Sequence, residues 1–299
     1  MVIAIFGPTA AGKTAVAEAV AGVVGGEVVS CDSMQAYRGL PILTCQPGRP
    51  TRLVAIWPLD HEGSVGEYAA LAHAEIDGLL AAGRTPVVAG GTGLYLRAAL
   101  AELGLPSAPM PGARARWEAA YDREGAAATH RRLAEVDAEA AAVVHANDRR
   151  RVVRALELAE AGQSLVPADD RLWTRETRHP TLLVGLDVPP EELSRRIERR
   201  TAAMFEAGVQ EEVRAALAGP VSITARKALG LDEVAALPRD EALAAIVVRT
   251  RRYAAYQRKW MRRIPGLVMV NADRPADEVA HEIEQMARAR EQLPARRAG

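Results

Sequence analysis

The feature that most constrains this 299-residue chain is a glycine-rich loop close to its start. The segment FGPTAAGKT contains the pattern Gly-x-x-x-x-Gly-Lys-Thr, with Gly7, Gly12, Lys13 and Thr14 in register. The apolar run VIAIF before it predicts a buried strand, and AVAEAV after it predicts a helix. Because strand, loop and helix follow one another in this order, the segment is typical of a P-loop, which binds a chain of phosphates.

Every residue of this loop is a candidate phosphate-binding residue. The loop's backbone N–H groups and the positive end of the following helix attract an anion. Lys13 adds a positive charge, and the Thr14 hydroxyl is a candidate ligand for Mg²⁺. The candidate residues are Gly7, Pro8, Thr9, Ala10, Ala11, Gly12, Lys13 and Thr14.

Composition excludes several protein classes. With 49% apolar and 25% charged residues, the chain can build a sizeable core and is not a disordered polymer. No apolar run reaches the roughly 18 residues of a membrane helix, so no membrane partner is expected. Two cysteines, Cys31 and Cys45, are too few for a disulfide framework, which favours reduced thiols and a cytoplasmic protein. The six histidines show no metal-ligand spacing.

Short apolar segments alternate with helical patterns over the first hundred residues. After the first strand, further strands are predicted at 27–31, 53–57 and 86–89. This alternation predicts an α/β fold whose parallel sheet has helices on both faces. Ligands of such sheets bind beyond the carboxyl ends of the strands. Besides the P-loop, that rule selects Asp32–Gln35 and Gly90–Gly93.

The pattern changes at the proline-rich segment LPSAPMPG, which divides the chain into parts. Residues 1–104 are predicted to form the first part of the P-loop core, and 105–180 a mostly helical insertion. Residues 181–291 are predicted to form a helix-rich second part of the core, and 292–299 a disordered tail. Within these parts the predicted elements are a helix over 66–82, strands at 182–186 and 267–270, and one long helix from the double proline to Leu217.

Formal net charge is zero, but the charges are unevenly distributed. Residues 249–263 contain seven basic residues and no acid, with Tyr253, Tyr256 and Trp260 among them. Residues 149–154 contain four arginines. Each run is compatible with a solvated helix face, while two such runs also suit a polyanionic partner.

Asp32 is expected to end the second strand, across the cleft from the P-loop. Three roles are open for it. It can hold Mg²⁺ through water, act as general base for an acceptor beside the phosphates, or cap the following turn. Its position in the sequence does not separate the first two.

Beyond the P-loop, an ordered set of motifs resembles the bacterial tRNA dimethylallyltransferases, or tRNA isopentenyltransferases. The resemblance extends from residue 2 to about residue 270. The matching segments are GPTAAGKT, SCDSMQAYRGLPILTCQP, VVAGGTGLYLRAAL, HANDRRRVVRALEL, ELSRRIERRTAAMFEAGVQEEV, ARKALGLDE and TRRYAAYQRKWMRR.

The resemblance implies transfer of a dimethylallyl group from dimethylallyl diphosphate to N6 of the adenosine 3′-adjacent to the anticodon. It implies Mg²⁺ as cofactor and tRNAs that read codons starting with U. The P-loop would then hold a prenyl diphosphate rather than ATP, and Asp32 matches the family's general base. The helical insertion would grip the anticodon stem-loop. We expect the chain to act as a monomer.

The resemblance also implies individual site residues. The catalytic candidates are Asp32, Lys13, Thr92 and Arg114. The candidates for contact with tRNA are Asp32, Ser33, Met34, Gln35, Thr92, Arg114, Arg149, Arg150, Arg151, Val152, Val153, Lys227, Ala228, Leu229, Gly230, Leu231 and Asp232. The chain departs from the family pattern at Leu43, at Gln46 and at Tyr256, where the family often has glycine, lysine and a basic residue.

Two other functions are compatible with the P-loop alone. A small-molecule kinase would use the loop for ATP and Asp32 as base for an acceptor hydroxyl. An RNA-binding or nucleotide-switch protein would have no prenyl chemistry, and Asp32 would be dispensable.

Overall fold

The computed structural model describes residues 1–105, 110, 112–166 and 171–292. It divides the chain into two compact units, one formed by 1–101 with 172–299 and the other by 102–171. The predicted tail lies outside the described residues except for Gln292, which ends the last helix.

The first unit is built on five parallel strands. They are β1 (Val2–Phe6), β2 (Glu27–Ser30), β3 (Pro86–Gly90), β4 (Thr181–Asp187) and β5 (Val268–Asn271). Their spatial order is β2-β3-β1-β4-β5, so β1 lies at the centre. Ile3 pairs with Val87 on one side and Leu182 on the other. The predicted α/β fold with a parallel sheet is confirmed.

The helices of this unit pack on the sheet or on one another. They are α1 (Lys13–Val24), α2 (Val65–Ala81), α3 (Gly93–Leu100), α8 (Pro190–Glu206), α9 (Val209–Ala216), α10 (Leu231–Ala236), α11 (Arg239–Met261) and α12 (Ala276–Gln292). The second unit contains α4 (Ala113–Glu124), α5 (Ala126–Val136), α6 (Ala138–Val143) and α7 (Arg149–Glu160).

The central strand is buried on both faces, which is why it contains no polar residue. Ala4 and Phe6 pack in one core with residues of α2 and α3, including Ile76 and Leu96. Alternate residues of the same strand pack in a second core against α1 and α12. Because successive side chains of a strand point to opposite faces, five residues serve both cores.

The prediction of a strand at 53–57 is wrong. Leu53 and Ala55 have positive φ values of 63° and 54°, which an extended strand does not tolerate. Within the segment Trp57 makes an isolated bridge with Tyr37, and Arg52, just before the segment, makes one with Val29. Leu53 and Trp57 are buried, so the apolar run reflects packing of an irregular segment against the core.

The long helix predicted from the double proline to Leu217 is two helices, α8 and α9. Gly208 separates them with a left-handed φ of 91°. A residue in this conformation ends the regular i→i−4 hydrogen bonding of a helix.

The helical unit has its own core, formed by residues of α5, α6 and α7 such as Leu133, Ala140 and Leu156. The sequence predicts an insertion at 105–180, whereas the compact helical unit of the structure comprises 102–171. None of the helices within the described ranges is both long and apolar enough to cross a membrane.

Candidate active site

The glycine-rich loop joins the carboxyl end of β1 to the first turn of α1. Ala10 and Gly12 adopt positive φ values of 65° and 87°, which turn the chain sharply before the helix. The Lys13 ammonium donates a hydrogen bond to the carbonyl of Pro8 at 2.9 Å. Gly7 packs so closely that an added Cβ would lie 3.2 Å from Cβ of Leu186. The loop therefore turns tightly between β1 and α1, with Lys13 as the first residue of the helix.

This loop borders a cavity of about 1280 Å³, lined by Thr9, Ala10, Gly12, Lys13 and Thr14 among others. Burial lowers the pKa of Lys13 to about 8, and the positive charge of Arg200 adds to the shift. The negative charge of Asp32 opposes it. A buried lysine that is costly to keep charged is well suited to an anionic ligand.

Asp32 follows β2 and lines the same cavity. Its Oδ1 accepts a hydrogen bond from the backbone N–H of Met34 at 3.0 Å, so the carboxylate also shapes the turn after the strand. Thr92 is the N-cap of α3, and its hydroxyl lies 3.4 Å from the Ser33 hydroxyl. The loops after β2 and β3 are thus brought together, as the sheet rule predicted.

The residues beside Asp32 form a wall of the cavity, which includes Ser33, Met34 and Gln35. Gln35 donates to the carbonyl of Cys45 at 2.9 Å and accepts from the Ser30 hydroxyl at 2.9 Å. Gln46 donates to the carbonyl of Tyr37 at 2.7 Å. The glutamine at this departure from the family pattern therefore stabilises the loop that carries the wall.

The other two departures lie in different surroundings. Leu43 is buried and lines the cavity. A Cβ added at Gly230 would lie 3.0 Å from Leu43 Cδ1, so the leucine packs on this glycine. Tyr256 is 54% exposed and contacts Trp260 edge to face, with ring centroids 6.5 Å apart.

Two helices complete the cavity with residues that the motif assignments left out. Their spacing of three and four residues along each helix puts them on one face, a signal that the sequence carries. These residues are Arg196, Arg199 and Arg200 of α8, and Arg249, Arg252, Tyr253 and Gln257 of α11.

Arg200 has an unusual environment within this set. Its Nε is buried and has no hydrogen-bond partner in the part of the chain that the structure describes. A buried donor without a partner is costly unless a ligand satisfies it. Together with Lys13, this guanidinium gives the cavity two cationic groups suited to phosphate oxygens.

The segment Lys227–Asp232 lies at another part of the cavity, where Lys227 and Leu229 line it. Ala228 and Leu231 are buried, and Gly230 adopts a φ of 99° at the start of α10. Oδ1 of Asp232 lies 3.9 Å from Nη1 of Arg226.

The remaining candidates belong to the helical unit. Arg114 donates to buried Glu157 at 3.0 Å, and Arg154 donates to the same carboxylate at 3.1 Å. Arg149 binds both carboxylate oxygens of Asp122, at 2.8 and 2.7 Å. Within the run at 149–153, Arg150 and Arg151 are exposed, whereas Val152 and Val153 are buried.

The donor set of the cavity suits a hard divalent cation bound partly by a ligand. The Thr14 hydroxyl and the Asp32 carboxylate both line it. Mg²⁺ is commonly held by one or two protein oxygens together with substrate phosphates and water. Among the described side chains, no group of three or more His, Cys, Asp or Glu forms a dedicated metal site.

Comparison with known proteins places this site in a family. A family model described as IPP transferase matches residues 35–264, and a second, described as isopentenyl transferase, matches residues 1–53. The chain belongs to the IPP transferase family. The predicted family and the prediction of a prenyltransferase enzyme are confirmed.

Relatives and solved structures of the IPP transferase family resemble the chain over nearly its whole length. A tRNA dimethylallyltransferase of Streptomyces griseus is 40% identical, covering 94% of this chain and 93% of that protein. One from Anaeromyxobacter dehalogenans is 41% identical, with coverages of 95% and 99%. The crystal structure of a tRNA isopentenylpyrophosphate transferase from Bacillus halodurans has a TM-score of 0.70 at 30% identity, with coverages of 97% and 96%.

Proposed function

We propose that this enzyme transfers the dimethylallyl group of dimethylallyl diphosphate to N6 of the adenosine 3′-adjacent to the anticodon, in tRNAs that read codons starting with U. Diphosphate is released. The observation that carries the proposal is that the phosphate loop and the Asp32 carboxylate line one cavity. Relatives named tRNA dimethylallyltransferase, about 40% identical over most of the chain, support it.

The donor reacts by breaking its allylic C1–O bond. Positive charge then develops on the allyl group and negative charge on diphosphate. The loop N–H groups, the Lys13 ammonium and the Arg200 guanidinium stabilise that negative charge, which lowers the barrier. No phosphoryl group moves in this reaction.

The acceptor amine needs help from a base. The lone pair of an adenine N6 amine is delocalised into the ring, so the amine is a weak nucleophile and must lose a proton as it attacks. Asp32 is the candidate base in the cavity, and a general base is typically worth about 10²–10⁴ in rate. Its Oδ1 is hydrogen-bonded to Met34, which orients the carboxylate.

Mg²⁺ is part of the proposal. Thr14 would supply a hydroxyl ligand beside the diphosphate oxygens, and the ion would neutralise charge on the leaving group.

The tRNA must present its target base outside the stack, which costs a few kcal/mol. We assign recognition of the anticodon stem-loop to the helical unit, where Glu157 orients Arg114 and Arg154. Arg150 and Arg151 are exposed for contact with phosphates. Further candidate contacts with the RNA are Ser33 and Lys227, which line the cavity, and Thr92, whose hydroxyl lies 3.4 Å from that of Ser33. We propose that one monomer carries out the reaction.

The decisive experiment incubates the purified enzyme with dimethylallyl diphosphate, Mg²⁺ and unmodified tRNA, and then analyses the nucleosides by mass. We expect one dimethylallyl group on the adenosine next to the anticodon. The kinase alternative, which family membership does not favour, requires ADP formation from ATP with a small acceptor. An enzyme that leaves every tRNA unmodified and consumes ATP in this way would refute the proposal.

A further inference from the structure

A single buried amide in α11 connects the two loops that form the reaction site. Gln257 is only 2% exposed. Its Oε1 accepts a hydrogen bond from the backbone N–H of Thr9, in the phosphate loop, at 2.7 Å. Its Nε2 donates to the carbonyl of Gly91, in the loop after β3, at 2.8 Å. One side chain therefore binds both loops at once.

The chemistry of these two partners requires a side chain that both accepts and donates. A backbone N–H can only donate and a carbonyl can only accept, so the side chain between them must offer an acceptor at one end and a donor at the other. Glutamine does this without a charge. A leucine or methionine of similar size would leave a buried N–H and a buried carbonyl unpaired.

The packing around Gly91 shows how closely the loops approach. A Cβ added at Gly91 would lie 2.2 Å from Gln257 Nε2 and 3.3 Å from both Lys13 Nζ and the Gly7 carbonyl. One helical turn before Gln257, Tyr253 lies beside the side chains of Thr92 and Gln257. The contacts thus extend from the phosphate loop to Thr92, the N-cap of α3.

We infer that Gln257 is a positioning residue that holds the diphosphate cradle in register with the loop carrying Thr92. This inference rests on the proposed function, because register matters when the leaving group is bound by one loop and the acceptor lies against the other. Misplacement of reacting groups by about 1 Å can cost about 10²-fold in rate. The phosphate loop also needs its own conformation to present N–H groups to an anion, so diphosphate affinity depends on the same contact.

The test compares Gln257→Met and Gln257→Glu with the wild-type protein. Gln285→Met is the matched control, because it makes the same substitution at an exposed position of α12. Three quantities are measured: affinity for inorganic diphosphate in Mg²⁺ buffer by calorimetry, single-turnover prenyl transfer, and affinity for tRNA. For Gln257→Met we expect a loss of about 10- to 100-fold in transfer rate and weaker diphosphate binding. Affinity for tRNA should stay within about threefold, and Gln285→Met should behave as wild type.

The glutamate variant separates positioning from mere packing. A protonated carboxyl group can accept from Thr9 and donate to Gly91 as the amide does, whereas a carboxylate can only accept. The diphosphate affinity of Gln257→Glu, divided by that of wild type, should therefore rise as pH falls from about 8 to about 5.5. This readout stays available if the methionine variant does not fold.

A ratio that is flat across pH, or a folded Gln257→Met with wild-type diphosphate affinity and rate, overturns the inference. If the wild-type protein itself transfers no prenyl group, the proposed function fails instead. Diphosphate binding by the variants then still tests the positioning role.

Discussion

At the scale of single residues, two charged groups of opposite sign share the cavity, and each is held by a backbone group of its own loop. Lys13 donates to the Pro8 carbonyl and Asp32 accepts from the Met34 N–H. The capping role considered for Asp32 and its proposed role as base are therefore compatible, since one oxygen shapes the turn and the carboxylate still lines the cavity.

Asp32→Asn should abolish most of the chemistry without changing the shape of the turn. An asparagine oxygen can still accept from Met34, but the amide is not a base. We expect the single-turnover transfer rate to fall by about 10²–10⁴, with tRNA affinity unchanged. Rapid-quench kinetics measure the rate, and Asp60→Asn, at an exposed position, is the control. Transfer within twofold of wild type would show that Asp32 is not the base.

Lys13 should make diphosphate binding depend on pH. Its pKa is lowered to about 8 by burial, so the free enzyme loses this positive charge as pH rises through about 8. The ratio of wild-type to Lys13→Met affinity for diphosphate should be highest below that pH and fall above it. Because diphosphate titrates equally in both experiments, the ratio cancels the titration of the ligand. Calorimetry over a pH series measures the two affinities. A ratio independent of pH would contradict the assignment.

The lowered pKa of Lys13 also makes the free energy of unfolding depend on pH, with a defined sign. Between about pH 8 and the ordinary pKa of 10.5, the unfolded chain holds a proton that the folded protein has lost. The Lys13 contribution to the free energy of unfolding therefore increases with pH in that window and is least favourable below it. Urea denaturation over this pH range should show an increase in the free energy of unfolding of wild type relative to Lys13→Met, because the methionine variant has no group that titrates at this position.

At the scale of elements, α3 and α11 approach closely because Gly93 has no side chain. A Cβ there would lie 2.3 Å from Cε3 of Trp260. The Trp260 indole cannot easily move away, because it packs on Trp173 with the ring centroids 4.9 Å apart. The guanidinium carbon of Arg263 in turn lies 3.8 Å from the Trp173 ring centroid. This contact places the first turn of α3, and with it Thr92, beside α11.

Gly93→Ala should therefore destabilise the protein by about 1–3 kcal/mol, the usual cost of overpacking. Gly22→Ala is a sharp control, since Gly22 is an exposed helical glycine whose added Cβ would meet nothing within 4 Å. That change should stabilise by about 0.5–1 kcal/mol. Urea denaturation of both variants measures the difference. Equal stabilities would mean that the α3–α11 contact relaxes without cost.

Elements also show where local patterns mislead. The run at 53–57 has the composition of a strand, but backbone bonds to Gln35 and Ala36 and two left-handed residues keep it irregular. The pattern reports burial, and burial alone does not distinguish a strand from a packed loop.

At the scale of the whole molecule, zero net charge does not prevent binding to RNA, because the arginines are concentrated in particular segments. We expect the logarithm of tRNA affinity to fall steeply with the logarithm of salt concentration, since phosphate contacts displace counterions. Arg150→Ala should reduce that slope by about one. Arg214→Ala, on α9, is the control and should leave it unchanged. Fluorescence anisotropy over a salt series measures the slopes, and a flat wild-type response would exclude docking through basic residues.

The sequence by itself determined the glycine-rich loop between strand and helix, the parallel sheet, the family and the position of Asp32 after its strand. Each depends on a short pattern in which neighbouring residues act together, so local order suffices. Only the tertiary structure decided which face of α8 and α11 lines the cavity, and it alone revealed that Gln257 binds a loop 248 residues earlier in the chain. Such contacts arise from the packing of separate helices against one sheet. The spacing of the arginines marks one face of each helix, but the partners of that face and of Gln257 are specified by the core as a whole.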